Sequence, residues 1–506
     1  MTRDEVDESA VESRCPVDHS SLVESSRTAE IRPLDAIPGP RPMPLLGWRG
    51  NTLRFLRDPI AYLRQLRQQH GTIARFVAGS NPSIVFRPTT RDRSTIFVLG
   101  PDGARDVLTQ PDVFTGGEFR APKGLEWINH SMVSAEGGRR KQRRGTMSPA
   151  FARDHLKSYV SEVEKQTRIR LDRWRRQQRV DLAGEMFDFA SGIARTCFFG
   201  QDPSGGGIDL AAMVRMFAEG LVSPLAGVPV NLPGTPYHRL RHYGEIVYRE
   251  LLAEIDRKRA GGNTGDDILA MMIASQAEQG LKLTNDELMG DAVALFLAGH
   301  DVPANAITYA LILLSQHPQI ASRLWHELDR EVDGDMPAYS QVWRLPYLDR
   351  VVKESLRILG PTLMILRSAA QDGIVAGYEV PAGSEVLTVP YIIHTDPEVW
   401  QSPLRFDPDR WLDTKPSAFE YLPFSYGARK CLGAPFAELL MKIVLCVLVK
   451  NVRLTPVDGI KIDFFSTFVI SPKGKVPVHV SAQDGNFEAS RVRLGGQITT
   501  MVELTG

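Results

Sequence analysis

The stretch Phe424-Ser-Tyr-Gly-Ala-Arg-Lys-Cys431-Leu-Gly433 places a single sulfur between two glycines, two residues after an arginine. The helical pattern Ala434-Pro-Phe-Ala-Glu-Leu-Leu-Met-Lys442 follows directly, with Pro435 in its first turn. A thiol at a helix N-terminus beside Arg429 and Lys430 is expected to have its thiolate stabilised by the helix dipole and the cations, lowering its pKa from about 8.5. Such a thiolate is either a nucleophile or an anionic metal ligand. A nucleophile needs a base, and no Cys-His pairing is recognisable from spacing. The glycines Gly427 and Gly433 suit a backbone that approaches a flat ligand closely. The other cysteines read differently. Cys197 in RTCFFG and Cys446 in IVLCVLVK look like small core residues, and Cys15 lies in a polar N-terminal stretch.

Three other constellations carry chemistry. In Val351-Val-Lys-Glu-Ser-Leu-Arg357, Glu354 and Arg357 share a helix face. In Glu136-Gly-Gly-Arg-Arg-Lys-Gln-Arg-Arg144, Arg140 and Arg144 lie one helical turn apart, a spacing that lets two guanidiniums make charge-assisted bonds to a carboxylate. The neighbours Arg139, Lys141 and Arg143 read as a solvated basic face able to dock an acidic partner. Finally, Thr284-Asn-Asp-Glu287 has the form of a capping box, and the apolar pattern after it runs about thirty residues to His317-Pro318. Within this run lies Ala298-Gly-His-Asp-Val-Pro-Ala-Asn305. Pro303 has no N–H and crowds the preceding turn, so the Gly299 carbonyl should lose its helical partner and the helix should kink.

A single axial thiolate is what haem iron uses in oxygenases. At Cys431 the chain resembles the cytochrome P450 superfamily: Phe424, Gly427, Arg429, Cys431 and Gly433 match every fixed position of its haem-binding signature. Glu354 and Arg357 match its E-x-x-R motif, and Arg410 in Phe406-Asp-Pro-Asp-Arg-Trp matches the arginine that completes a structural cluster behind the haem. The motifs occur in family order over about residues 37–480. The resemblance implies haem b as cofactor, with Cys431 as iron ligand and Arg140, Arg144, Arg367 and Arg429 binding its propionates. Arg140 stands where the family usually has an aromatic or imidazole ring.

In the oxygen-binding stretch the resemblance gives Ala298 and Gly299 the positions beside the iron, with Gly299 leaving room for a diatomic ligand, and Asp301 the acid position. Val302 occupies the usual threonine position, and Pro303 follows. Substrate-pocket positions fall on Phe296, Val302, Thr362, Leu363, Met364, Ile365 and Phe468, whereas His300 is expected to face away from iron. The implied activity is hydroxylation or epoxidation of a lipophilic small molecule by O2, in secondary metabolism, with electrons from an external donor such as ferredoxin and its reductase. Loss of the threonine leaves two alternatives open. One is peroxide-driven or otherwise unusual chemistry (coupling, desaturation, rearrangement), and the other a haem-thiolate protein that binds or senses without turnover.

These residues need a large scaffold. The chain has 506 residues, 43% hydrophobic and 24% charged, and its 60 Lys and Arg balance 60 Asp and Glu. That balance removes a net-charge case for nucleic acid or an anionic membrane, although local patches remain open. Scattered cysteines and an N-terminal thirty residues without an apolar core suit a cytoplasmic protein with no membrane span.

The expected fold class is mainly α with a small β region. Helical spacing dominates from Pro149 to Arg357, broken at 202–207, 231–236 and 261–267. β signals occur at Thr72–Val77, Ser94–Leu99, Tyr378–Val389 and Val476–Val480, with Val380-Pro-Ala-Gly-Ser-Glu385 reading as a hairpin turn. Residues 1–36 read as a polar tail, 37–481 as one haem domain beginning with a Pro-rich surface strap, and 482–506 as a tail whose order the sequence leaves open.

Overall fold

The computed structural model describes residues 31–78, 94–116, 123–200, 213, 216–217, 230–261, 265–466 and 468–504. Helices dominate. The longest, Asn285–Gln316, runs 32 residues, about 48 Å, and its N-terminus carries the expected capping box. The Glu287 N–H donates to Thr284 Oγ1 at 3.2 Å while Thr284 N–H donates to Glu287 Oε2 at 2.9 Å. It stops at Gln316 because Pro318 drives His317 out of the helical conformation, to φ −125° and ψ 75°. The helix continues through Pro303 without interruption.

This helix forms the axis of the core. It packs most extensively against Leu182–Phe199 and also meets Pro346–Ile358 and Ala434–Asn451, the helix that follows Cys431. The Ala434–Asn451 helix is apolar around most of its circumference, as a helix enclosed by others must be. Among the described residues no helix is long and apolar enough to cross a membrane.

A five-stranded sheet lies beside the helices in the order Ile73–Arg75, Thr95–Val98, Glu385–Thr388, Ile365–Ala369, Phe114–Gly116. Its one parallel pairing joins Thr95–Val98 to Glu385–Thr388. The Pro-rich strap extends this edge: Arg75 N–H donates to Pro38 O and Ala78 N–H to Pro40 O. The hairpin expected at 380–385 does not form. Tyr378–Val380 pairs back onto Gly373–Val375, while Glu385–Thr388 enters the larger sheet, because its four residues are all buried and suit an interior strand.

A three-stranded sheet joins Arg179–Asp181, Pro477–Ala482 and Val452–Pro456. Residues 482–504 fold back onto the body. Ile498, Met501 and Val502 are buried, and Glu503 N–H donates to Leu404 O at 2.8 Å. The sequence-expected break at 202–207 lies outside the described residues.

Candidate functional site

The helices and the larger sheet enclose a cavity of about 550 Å³. Ala294, Leu295, Ala298, Gly299, Val302 and Pro303 of the long helix form one wall, and Pro423–Ser425 with Arg429–Gly433 form another. Arg140, Arg144 and Arg367 join Arg429 on its lining, while Met132, Val133, Phe198, Leu366 and Phe468 supply apolar surface.

Cys431 lines this cavity, its surface open to the cavity space while protein atoms crowd it on most sides. Its backbone N–H donates to Phe424 O at 2.8 Å, closing the loop on itself. Burial pushes the Cys431 thiol above its ordinary pKa, against the opposing pull of the Gly433 and Ala434 N–H groups, Arg144 and Lys430. The net direction is therefore the reverse of the sequence expectation: the dipole and the cations act as foreseen, but desolvation outweighs them. A bound cation facing the sulfur would reverse that balance. Among the described residues no three His, Cys, Asp or Glu side chains gather as a metal site, so Cys431 stands as a lone candidate ligand.

Gly427 has a reason that spacing could not supply. Its φ is +72°, and a Cβ there would meet Leu108 O at 2.5 Å. It therefore sets the turn of the loop instead of lining the cavity, whereas Gly433 does line it.

Arg140, Arg367 and Arg429 repel one another, and Arg144 repels Arg140. Burial, then Arg429 and Arg144, pull the Arg140 pKa down to about 10, and burial, then Arg429 and Arg140, do the same to Arg367. Burial also lowers Arg144. Arg429 bonds Glu136 Oε2 at 2.5 Å and the carbonyls of Val133 and Ala135 at 3.2 Å. Arg140 donates to Met132 O at 2.7 Å, but its buried Nε has no partner among the described residues. Arg367 donates to Leu366 O at 2.8 Å. Several mutually repelling guanidiniums at one cavity edge, with an unsatisfied buried donor among them, form a donor set suited to added carboxylates. A porphyrin with two propionates fits both this edge and the thiol wall.

The long helix departs from expectation at two residues, Asp301 and Phe296, and gives Gly299 a second reason. Gly299 lines the cavity, but a Cβ there would strike the Phe198 ring at 2.3 Å, so close packing against Leu182–Phe199 is what demands glycine. Asp301 is not part of the lining; its half-exposed carboxylate lies 3.3 Å from His300 Nε2. Phe296 turns into the core and stacks on Phe199 at 5.5 Å, away from the cavity. Ala298, Val302 and Pro303 do line it. His300 is buried with Nδ1 2.7 Å from Phe296 O, and it too faces away from the cavity.

Of the expected substrate positions, Thr362 and Phe468 reach the cavity, while Leu363, Met364 and Ile365 are buried without lining it. Thr362 bridges Val469 beside Phe468, and the chain next returns to the cavity at Leu366.

Behind the cysteine loop, Glu354, Arg357 and Arg410 converge. Arg357 donates to Glu354 through Nε at 2.9 Å and Nη2 at 2.7 Å, and Arg410 Nε donates at 2.9 Å. Glu354 and Arg357 have no exposed side-chain surface. Both arginines then tie down the segment leading to Cys431. Arg357 bonds the carbonyls of His394, Pro403 and Arg405, and Arg410 those of Gln401, Ser402 and Arg405.

Two functional candidates escaped the sequence reading. Asp291 lines the cavity, fully buried, and Arg143 holds it through Nη2 at 2.6 Å and Nε at 3.1 Å. Arg143 is thus no part of a solvated docking face, and Arg139 is paired with Glu287; of that basic trio Lys141 stays exposed, with no such pairing among the described residues. The available signal was helical spacing: continuing the Ala298–Val302 stripe upstream leads through Leu295 to Asp291.

Comparison with known proteins finds relatives over most of the chain. The family model described as "Cytochrome P450" matches residues 37–477. The chain is 28% identical to cyclooctat-9-en-7-ol 5-monooxygenase of Streptomyces melanosporofaciens, over 85% of this chain and 91% of that protein. It is 26% identical to pentalenene oxygenase of Streptomyces avermitilis, over 80% and 89% of the two chains. Retinoic acid-bound cyanobacterial CYP120A1 superposes with a TM-score of 0.76 at 23% identity, covering 90% of this chain and all of that one, and shows the likeness of fold.

Proposed function

The chain belongs to the cytochrome P450 family and is a monooxygenase; from that premise we propose that it hydroxylates or epoxidises a cyclic terpenoid in secondary metabolism. The observation that carries this reading is one cavity combining a lone thiol, a cluster of arginines and otherwise largely apolar walls. The relatives named for cyclooctat-9-en-7-ol and pentalenene support the substrate class.

The cofactor proposed is haem b, whose iron Cys431 would ligate and whose carboxylates Arg140, Arg144, Arg367 and Arg429 would hold. When bound, that haem supplies the activation of O2 and the oxidation of the substrate. The chain's own residues supply placement and protons. Phe198, Leu295, Leu366 and Phe468 exclude water and hold a hydrocarbon skeleton by shape. Pro303 cannot donate to the Gly299 carbonyl, so that oxygen can hold a water on the cavity wall. Asp291 offers a carboxylate within the same cavity. Electrons are proposed to come from an external ferredoxin with its reductase, docking at the exposed Lys141 and Lys430.

A second reading, peroxide-driven oxidation, is favoured by Val302 at the usual hydroxyl position and by Asp301 standing outside the lining. One experiment separates the two. Cyclic terpene hydrocarbons and alcohols are screened for a substrate-induced spectral shift, and hits are incubated with NADPH and surrogate ferredoxin partners or with peroxide alone. Oxygenated product with NADPH and O2 supports the first reading, and product with peroxide alone the second. No shift and no product across the terpenoid panel would overturn the substrate class.

A further inference from the structure

The N-terminal end of the described chain carries a surface that the reaction does not use. Residues 36–57 contain four arginines, Arg41, Arg49, Arg54 and Arg57, and no acidic residue, in a chain whose charges otherwise balance. Met43 and Gly47 pair across a tight turn, with N–H to O distances of 3.0 and 2.8 Å, and its tip projects Leu45 and Leu46 into solvent. Leu45 is wholly exposed and sits at φ 66°, a conformation that favours glycine or asparagine. Neither turn geometry nor solubility accounts for leucine there.

The helix Trp48–Arg57 continues the pattern. Its inner side buries Gly50, Asn51 and Phe55, while Leu53 and Leu56, each at least 60% exposed, share the outer face with Arg49 at intervals of four and seven residues. A single exposed leucine needs no explanation. Four leucines at least half exposed within twelve residues, interleaved with cations and free of anions, do. Leu45 and Leu46 stand out from the tip of the turn, so the complement that suits them is one that yields to insertion. Leucines entering an apolar layer while arginines meet negative charge above it describe the interface of an anionic bilayer.

We propose that residues 41–57 form a peripheral docking surface for an anionic lipid interface, which the protein touches without spanning. A lipophilic substrate dissolved in that interface would then be concentrated beside the enzyme.

The test uses the full-length haem-loaded protein in co-sedimentation with vesicles of phosphatidylcholine alone or mixed with phosphatidylglycerol. Binding is expected to the mixed vesicles and to weaken with salt. Neutralising Arg49 and Arg57 as Arg49→Gln/Arg57→Gln should cost about five-fold for each arginine. Leu45→Ser/Leu56→Ser should weaken binding at low and high salt alike, with the carbon monoxide spectrum of every variant unchanged as a check on folding. Absence of binding to mixed vesicles, equal binding to neutral ones, or binding indifferent to these four substitutions would overturn the proposal. So would a lipid-independent dimer abolished by the leucine substitutions, which would assign the face to a second copy of the chain.

Discussion

Replacing Glu354 with alanine removes the one carboxylate that holds the Arg357 and Arg410 guanidiniums together. Glu354 accepts five hydrogen bonds: two from Arg357, one from Arg410 Nε, one from Trp411 Nε1 at 3.0 Å and one from Asp407 N–H at 3.1 Å. Its loss strands Arg357, which has no exposed side-chain surface, and leaves the partly exposed Arg410 without its carboxylate; breaking a buried pair typically costs about 3–5 kcal/mol. The lower part of that range is expected, because Arg357 and Arg410 keep bonds to five backbone carbonyls between His394 and Arg405.

The effect should reach the cysteine loop through Tyr421, which stacks edge-on against Trp411 at 4.7 Å and donates to Lys353 O three residues before Phe424. Arg410→Ala should cost less than Glu354→Ala, since it leaves Glu354 still paired with Arg357. The assay is urea unfolding by tryptophan fluorescence, with retained haem read in parallel from the carbon monoxide spectrum. A loss below about 1 kcal/mol for Glu354→Ala, the worth of a solvated surface pair, would refute the reasoning.

The remaining predictions concern pH, protons and cofactor retention. Burial, and secondarily Arg357, hold the His394 pKa down at about 3, and its Nε2 accepts the Leu422 N–H at 2.8 Å. The folded protein therefore keeps this imidazole neutral while the unfolded chain binds a proton below about pH 6.5, so its contribution is present above that pH and is lost as pH falls toward 3. Urea stability of His394→Gln should accordingly fall less steeply than wild type between pH 6.5 and 4, by up to about 1.4 kcal/mol per pH unit; parallel slopes would contradict it. Val302→Thr should leave haem content unchanged while altering the fraction of electrons released as peroxide, measured against NADPH consumption. Arg367→Leu relieves repulsion in the empty cavity but removes a carboxylate partner, so haem should pass to an acceptor protein faster than from wild type; an unchanged rate would remove Arg367 from the carboxylate site.

Contiguous motifs made most of the site legible before any coordinates. The Phe424–Gly433 loop, the Glu354–Arg357 pair and the Thr284–Glu287 capping box are each specified by short-range spacing, and each appears where that spacing puts it. What spacing could not supply is long-range. That Gly299 answers to Phe198 and Gly427 to Leu108 depends on partners a hundred or more residues away. Arg143 looked like one of a solvated trio because its partner, Asp291, lies 148 residues on. The missed hairpin at 380–385 has the same origin: local turn residues suggested pairing of neighbours, whereas burial of all four residues of Glu385–Thr388 sent that strand to Thr95–Val98 and Ile365–Ala369. The pKa direction at Cys431 failed because sequence shows the nearby charges but not the desolvation that outweighs them.

The proposed bond between the Cys431 sulfur and iron is tested most directly by the absorption of the reduced, carbon monoxide-bound protein. The account predicts the red-shifted band of thiolate-ligated haem in the wild type and its loss in Cys431→Ala. A wild-type spectrum without that band, or a Cys431→Ala variant that keeps it, would contradict the assignment.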